Sequence, residues 1–291
     1  MASLDDLKKR ISSVKSTQKI TKAMKMVAAA KLKRAQDNAE KGRPYSKKMN
    51  SVILNLSEGI SDKENAPKLL SGTGKQNIHL CVVMTSDRGL CGGFNSNIIK
   101  KAKSFFDKLL KEGKEFKIIT VGSKGNDQLK RNFGDKIIEN ISFKNSKNTN
   151  FFDAEKVGKS IIDKFDKEEF DVCTIFYNQF KNVITQIPKA QQIIPLEAEN
   201  EDEKKHQESY EFEPDEDEIL KNLLPKNIST QIFKAMLENS ASEQGARMSA
   251  MDNATRNAGE MVDKLTIEYN RSRQAAITKE LIEIISGAES L

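Results

Sequence analysis

The sequence predicts an α/β fold plus a long coiled coil, in which two helical end segments bracket an α/β domain and pair antiparallel with each other. Residues 1–57 and 226–291 place apolar side chains at helical spacing over lengths several times that of a usual helix. Residues 78–195 instead alternate apolar runs with amphipathic stretches, which is the pattern of an α/β domain. Helices this long must bury their apolar faces, and the simplest solution is a two-helix antiparallel coiled coil.

The first segment, residues 1–57, is predicted to be one helix. Ser3 followed by Asp6 fits a capped helix start, and residues 1–41 contain neither Gly nor Pro. Apolar residues then recur every three or four positions, at Leu4, Leu7, Ile11, Val14, Ile20, Met24, Val27, Leu32, Ala35 and Ala39. Gly42 and Pro44 allow a kink or a break. If continuous, this helix would be about 80 Å long.

The middle of the chain is predicted to be a Rossmann-like α/β domain over residues 78–195, preceded by a polar linker at 58–77. Its strands are expected at IHLCVVMTS, FKIITVG, KIIENI and FDVCTIFYN, with ITQIP and QQIIPL as closing strands. Helices are expected from residue 95 to about 111, near 123–133 and at 153–168. Because strands and helices alternate, the sheet should be largely parallel.

The last part of the chain divides into an acidic loop at 196–225 and a helix at 226–291. Residues 197–218 hold 12 Asp and Glu against 2 Lys, a net charge of −10, which is typical of a solvated loop. In the helix, Glu243–Arg247 and Asp252–Arg256 are oppositely charged pairs four residues apart. This helix would be roughly 90 Å long and is expected to pack on the first one.

Composition excludes several kinds of site. The three cysteines form no C-x-x-C pair and there are only two histidines, so we expect no disulfide framework, no metal site and no cofactor. No set of residues pairs a nucleophile with a base, so an enzyme is not predicted. No run of 18 apolar residues occurs, and the N-terminus lacks the apolar core of a signal peptide.

The segment SDRGLCGGFN, residues 86–95, is a Gly-rich turn between a predicted strand and a predicted helix. That is the position of a phosphate-binding loop, but the Lys-Ser/Thr of a Walker loop and the G-x-G-x-x-G pattern are both missing. We therefore interpret it as a tight turn in which Gly92 or Gly93 takes a positive φ. Arg88 is expected at its tip, where it can reach a partner.

The first segment is strongly basic, because residues 1–48 hold 14 Lys and Arg against 4 Asp and Glu. Its basic side chains either form a solvated helix face or meet an acidic partner: nucleic acid, anionic lipid or an acidic protein. They are Lys15, Lys19, Lys22, Lys25, Lys31, Lys33 and Arg34. A basic coiled-coil nucleic-acid-binding protein is the alternative function, although this helix has no aromatic residue before Pro44 that could stack on bases.

Three segments resemble a known family. Residues 10–36 (RISSVKSTQKITKAMKMVAAAKLKRAQ) resemble the N-terminal helix of the gamma subunits of F-type ATP synthases. SDRGLCGGFN resembles the family's central signature, and residues 242–291, which begin SEQGARMSAMDNATRNAGEM, resemble its C-terminal helix.

The resemblance implies a rotor. The two helices would turn inside a ring of three alpha and three beta subunits, and the α/β domain would contact the epsilon subunit and the ring of c subunits. Rotation of the c ring by protons would drive the beta subunits through their nucleotide states, so that catalysis lies on beta. The expected location is the cytoplasmic side of a bacterial inner membrane, peripherally and through partners, without nucleic acid.

The resemblance also implies which residues contact the beta subunits. Arg273, Gln274, Thr278 and Glu280 fall on the stretch that engages the beta catch loop, and Arg88 falls on a second catch contact. The coil region that faces the acidic beta lever contains Met24, Arg247, Lys31, Lys33 and Arg34. The apolar end would enter a hydrophobic sleeve through Ile282, Ile284, Ile285 and Leu291.

Overall fold

The computed structural model describes residues 3–59, 67–144, 149–196 and 216–289. The chain divides into two compact units, one formed by residues 1–29 with 247–291 and the other by residues 30–246. The long first helix, α1 (Leu4–Gly59), and the long last helix, α6 (Glu216–Glu289), each contribute to both units. No helix in these ranges is apolar enough over a sufficient length to cross a membrane.

In the first unit, α1 and α6 pack antiparallel. Lys25 Nζ lies 2.6 Å from Asp252 Oδ1, and Thr255 Oγ1 donates a hydrogen bond to Thr21 Oγ1 at 2.8 Å. As residue numbers fall along α1 they rise along α6, which confirms the predicted pairing of the two end segments. The buried residues of this unit come from both helices and are mostly small or apolar: Leu7, Thr21, Ala28, Met251 and Ala258.

The start of α1 has the predicted cap. Asp6 N donates to Ser3 Oγ at 3.1 Å, and Ser3 N donates to Asp6 Oδ2 at 3.4 Å. The two residues therefore satisfy each other's backbone donors, as in a capping box. Asp5 adds a second carboxylate to the first turn, where the helix dipole favours negative charge.

The second unit contains a five-stranded sheet in the order β3-β2-β1-β4-β5. The strands are β1 (Ile78–Met84), β2 (Glu115–Val121), β3 (Ile137–Ile141), β4 (Val172–Phe180) and β5 (Gln186–Ile194). The first four are parallel, and β5 returns antiparallel along β4. The largely parallel sheet is confirmed, but one continuous β5 replaces the two closing strands that were predicted. Pro188 lies within β5, which is tolerated because β5 is an edge strand.

Helices cover both faces of this sheet. Besides α1 and α6, the helical elements of this unit are α2 (Lys68–Ser71), α3 (Phe94–Lys111), α4 (Ser123–Phe133), a 3-10 turn (Gly134–Lys136) and α5 (Phe151–Asp166). On one face, Ile98 and Phe106 of α3 and Leu129 of α4 are fully buried against the sheet. On the other face, Ile161 of α5 and Ile232 of α6 are fully buried. The sheet therefore has an apolar core on each side.

Two predicted boundaries differ from the structure. The loop predicted at 196–225 extends too far, because α6 already begins at Glu216. The reason is tertiary: Leu220 and Leu224 are buried in one apolar cluster with Ile53 and Leu56 of α1. Burial of leucines four residues apart stabilises the helix where the charge pattern predicted a loop. Residues 197–215 of that loop lie outside the described residues.

The predicted kink or break near Pro44 does not end α1. Pro44 lies inside α1, and Pro225 lies inside α6. A proline inside a helix removes one backbone hydrogen bond and disfavours the helix. Ala39, Ile53 and Leu56 are 3%, 0% and 1% exposed, so apolar packing on both sides of Pro44 holds this part of α1 and outweighs the loss.

Candidate partner-binding surfaces

The Gly-rich loop 86–95 follows β1 at the carboxyl edge of the sheet. Its neighbours there are β2 on one side and β4 on the other, so the loop lies where the strand order reverses. In open α/β sheets this position is the usual ligand crevice. What occupies the crevice therefore decides whether the loop can bind a phosphate.

The chain's own side chains fill the crevice. Cys91 and Phe94 are 2% and 3% exposed and pack against Ala246 of α6. Asn178 of β4 donates from Nδ2 to the carbonyl of Phe94 at 3.4 Å. Asn95 Oδ1 accepts a hydrogen bond from Ser86 N at 3.0 Å and thereby closes the loop on itself. The loop is a packed structural turn at the place where a cofactor would lie in a nucleotide-binding domain.

Asp87, the second residue of the loop, places its carboxylate at the N-terminus of α4, where an anion would bind. Its Oδ1 accepts hydrogen bonds from Ser123 N at 2.8 Å and from the Ser123 and Ser142 hydroxyls at 2.7 Å each. Its Oδ2 accepts from Phe143 N at 3.1 Å. Burial by itself would raise the pKa of Asp87, but these hydrogen bonds outweigh it and lower the pKa below its usual value. The N-terminus of α4 thus receives a carboxylate of the chain itself, where a phosphate-binding domain would present it to a ligand.

Glycine is required at one turn next to Asp87. Gly122 has a φ of 104°, and a Cβ there would lie 2.3 Å from the carbonyl oxygen of Thr85. The predicted positive φ in the Gly-rich loop is found at Gly92, with a φ of 57°, whereas Gly93 has an ordinary φ of −79°. The structure adds a positive φ at Leu90 that the sequence pattern did not predict.

The tip of the loop faces solvent. Arg88, Gly89 and Leu90 are exposed, and the Leu90 side chain is 64% exposed. Arg88 therefore lies where the sequence predicted, at the surface end of the turn. Its carbonyl accepts a hydrogen bond from Ser86 Oγ at 2.6 Å, which fixes the backbone at Arg88.

The other predicted contact residues of the second unit lie on α1. Lys31, Lys33 and Arg34 are all exposed, while Leu32 between them is 5% exposed. Leu32 therefore anchors the helix, and the three cations are left on its solvent side. Because Lys31 and Arg34 are three residues apart, they share one face, whereas Lys33 lies to one side of it.

In the first unit, Met24 and Arg247 are half-buried in the pair of helices formed by α1 and α6. Both side chains therefore pack partly within the unit, and their contact with a partner stays a prediction. Arg247 makes further interactions within the chain.

The end of α6 is exposed and extends beyond the start of α1. The Lys25–Asp252 register places Leu4 opposite residue 273. The described residues of α6 beyond that point continue for about 24 Å. Arg273, Gln274, Thr278 and Glu280 are exposed there, and Thr278 Oγ1 donates to the carbonyl of Gln274 at 2.9 Å. The structure thus brings these four predicted residues together within two helical turns.

The same end of α6 exposes apolar side chains. Ile282, Ile284 and Ile285 are 59%, 67% and 57% exposed, and Ile277 and Leu281 are also exposed. Apolar side chains concentrated on an exposed helix are typical of a protein interface. Leu291, the fourth residue of the predicted apolar end, lies outside the described residues.

One ion pair that the sequence patterns did not reveal joins α1 and α6 in the second unit. Glu238 is 2% exposed at its side chain and accepts hydrogen bonds from Arg43 Nε at 2.6 Å and Arg43 Nη2 at 3.1 Å. The backbone N of Phe180, at the end of β4, also donates to Glu238, at 2.9 Å. In the sequence, this ion pair is indicated only by an acidic residue, Glu238, within an apolar stretch of α6. Its partner Arg43 could not be found from local spacing, because it is 195 residues away.

Comparison with known proteins identifies close relatives. A family model described as ATP synthase matches residues 3–291. The chain is 81% identical over 291 residues to the ATP synthase gamma chain of Pelagibacter ubique (strain HTCC1062), and 58% identical over 291 residues to that of Roseobacter denitrificans (strain ATCC 33942 / OCh 114). Both matches cover 100% of each chain. A chain of the Tetrahymena thermophila mitochondrial ATP synthase central stalk and c-ring structure matches with 31% identity and a TM-score of 0.64, covering 81% of this chain and 99% of that chain.

Proposed function

We propose how this chain, which belongs to the ATP synthase gamma-chain family and is the central rotor shaft of an F-type ATP synthase, acts on its partners. In this proposal, three of its surfaces transmit rotation to the catalytic beta subunits. These surfaces are the exposed end of α6, the basic part of α1 and the tip of the loop at 86–95. Each presents charged or apolar side chains to a partner, and none carries a catalytic group. ATP chemistry is assigned to the beta subunits.

The exposed end of α6 is the observation that carries the proposal. Arg273, Gln274, Thr278 and Glu280 lie in solvent on a helix that no described segment of α1 covers in the first unit. An Arg, an amide and a carboxylate can make directional, charge-assisted hydrogen bonds to a catch loop on beta. The exposed isoleucines at 282, 284 and 285 beyond them would be buried in an apolar sleeve of the alpha–beta ring.

The basic surfaces need acidic partners. Lys31, Lys33 and Arg34 on α1 are exposed, and Arg88 extends from a loop that its own hydrogen bonds hold in place. We assign the acidic lever of beta to the α1 cations and a second catch contact to Arg88. Met24 and Arg247 belong to the same coil region in this proposal.

Coupling follows from unequal binding. A rotor can shift a beta subunit between open and closed states only if it binds one state more tightly than the other. Because the exposed residues of α6 are placed differently around the helix, each rotational position offers a given beta subunit a different set of contacts. Torque enters through the α/β domain, which we assign to the c ring and the epsilon subunit. The assembly would be peripheral at the cytoplasmic side of a bacterial inner membrane.

Assembly is the first test of this proposal. The tagged chain is expressed with the alpha and beta subunits of its host, and the purified particle is weighed. A particle of three alpha, three beta and one copy of this chain that hydrolyses ATP supports the rotor function. A chain that instead elutes with nucleic acid would support the basic coiled-coil alternative. A chain that binds ATP alone would support nucleotide binding at the loop 86–95, which lies in the position of a phosphate-binding loop.

The contact assignment is tested by Arg273→Glu combined with Gln274→Leu in reconstituted vesicles. Charge-assisted hydrogen bonds contribute about 1.5–3 kcal/mol each, so proton-driven ATP synthesis should fall by about tenfold or more. Lys279→Glu is the matched control, because the Lys279 side chain is 79% exposed and lies about 100° or more around α6 from each of the four predicted contact residues. Wild-type synthesis by the double variant would refute the catch contact, provided the control also assembles normally.

A further inference from the structure

Leu90 combines two unfavourable features in one residue. It has a φ of 64°, in the left-handed region, and its side chain is 64% exposed. A leucine in this region brings its Cβ close to the following carbonyl, and an exposed leucine loses the benefit of burial. Strained residues of this kind persist when the surrounding structure determines the backbone, and they concentrate at functional sites.

The surroundings of Leu90 hold the backbone firmly. On the following side Cys91 is 2% exposed and packed, and on the preceding side the carbonyl of Arg88 accepts the hydrogen bond from Ser86 Oγ at 2.6 Å. The loop thus fixes a left-handed residue at position 90, where glycine would fit without strain. Among the described residues, Glu168 is the other non-glycine residue with a positive φ. Its exposed side chain is polar, so it exposes no apolar surface.

The geometry at the tip favours a partner with two features. Arg88 and Leu90 flank Gly89, and a Cβ built on Gly89 would meet nothing within 4 Å. A partner's backbone can therefore approach Gly89 closely, between the neighbouring residues Arg88 and Leu90. Such a partner needs an acidic group for Arg88 and an adjacent apolar recess for Leu90.

We propose that Leu90 is an apolar anchor that inserts into a recess of the catalytic beta subunit next to the acidic group contacted by Arg88. This proposal rests on the assignment of Arg88 under the proposed function and adds a second contact to it. Arg88 supplies the charge-dependent part of the contact, whereas Leu90 supplies a part that is insensitive to salt.

Direct contact is tested by photocrosslinking in the assembled alpha–beta–gamma complex. A benzoylphenylalanine is introduced at position 90 in one complex and at position 110 in another, because Leu110 is a 54% exposed leucine at the end of α3. A crosslink from position 90 to beta, with none to beta from position 110, is expected. No crosslink to beta from position 90 would overturn the proposal.

Function is tested by three substitutions of Leu90 and one control substitution of Leu110. Leu90→Asn and Leu90→Gly remove the apolar group and tolerate the left-handed backbone, so the full chain should melt at the wild-type temperature or above. Coupled ATP synthesis should nevertheless fall about tenfold or more, which is the effect of losing one buried leucine contact. Leu90→Met keeps an apolar group and should lose less synthesis than Leu90→Asn, whereas the control Leu110→Asn should stay within twofold of wild type.

Arg88→Glu separates this proposal from the one on which it rests. If Arg88→Glu lowers coupled synthesis and Leu90→Asn does not, the anchor is refuted and the Arg88 contact stands. If neither variant changes synthesis, both contacts are refuted. If both lower it, raising the salt concentration should weaken the contribution of Arg88 and leave that of Leu90, and equal salt sensitivity would contradict the apolar anchor.

Discussion

Replacing Glu238 by alanine tests whether the buried ion pair between α1 and α6 stabilises the second unit. Glu238 accepts two hydrogen bonds from Arg43 and one from the backbone N of Phe180. Its side chain is 2% exposed, whereas that of Arg43 is 42% exposed. The carboxylate therefore joins three elements, α1, α6 and the end of β4, from a position that water does not reach.

The free energy of unfolding that Glu238→Ala loses depends on whether Phe180 N and Arg43 can find other hydrogen-bond acceptors. Phe180 N is left buried without an acceptor, which costs about 1–3 kcal/mol. The Arg43 guanidinium can turn to water because it is partly exposed, so the ion pair itself adds less than a fully buried pair would. We expect Glu238→Ala to lower the free energy of unfolding by about 3 kcal/mol, and Glu238→Gln by less, because its amide oxygen can still accept the Phe180 hydrogen bond.

Urea unfolding of the full chain, followed by far-ultraviolet circular dichroism, measures this loss. Tryptophan fluorescence is not applicable, because the chain has no Trp. Lys25→Ala is the matched control: it removes an ion pair that also joins α1 and α6, but with side chains that are 38% and 58% exposed. The control should cost less than about 1 kcal/mol. A Glu238→Ala variant no less stable than this control would refute the reasoning.

Two further predictions concern the turn and the carboxylate at the carboxyl edge of the sheet. Gly122→Ala should lower the free energy of unfolding by about 3 kcal/mol or more, because its Cβ would lie 2.3 Å from the Thr85 carbonyl oxygen. The control is Gly74→Ala, because Gly74 has a φ of 73° but open space around it. It should lower the free energy of unfolding by only about 1–2 kcal/mol in the same urea assay. Equal losses would contradict the steric argument. The pKa of Asp87 is lower in the folded protein than in the unfolded chain. Its ionised carboxylate therefore contributes fully to the free energy of unfolding above the ordinary pKa, and this contribution is lost as the pH falls from about 4 through the folded pKa. The stability difference between wild type and Asp87→Asn should therefore shrink on acidification, and a difference that stays constant from pH 7 to pH 3 would refute this.

The features that depend on local pattern were predicted from the sequence. The spacing of Leu4, Leu7 and the later apolar residues predicted the first helix, and Ser3 with Asp6 predicted its cap, because both depend on residues within a few positions of one another. The four parallel strands were found for the same reason, since each is a short apolar run between turn signals.

The candidate surfaces were predicted only in part. The resemblance placed Arg88 on the central signature and Arg273 on the C-terminal helix, and the structure shows both as exposed. Their contacts with beta remain predictions. Leu90 was not singled out, because an exposed leucine in the left-handed region leaves no mark in a hydrophobic pattern: the surrounding hydrogen bonds and buried neighbours set its φ.

Other features were decided by contacts between residues far apart in the chain. The start of α6 at Glu216 depends on burial of Leu220 and Leu224 against α1, which overrode an acidic local composition. Asp87 links the ends of β1 and β3 to α4, and Glu238 finds Arg43 across 195 residues. By itself the sequence determined which segments are helices and strands, because periodicity is local. Only the tertiary structure decided which polar side chains meet, because that depends on how packed elements bring distant residues within hydrogen-bonding distance.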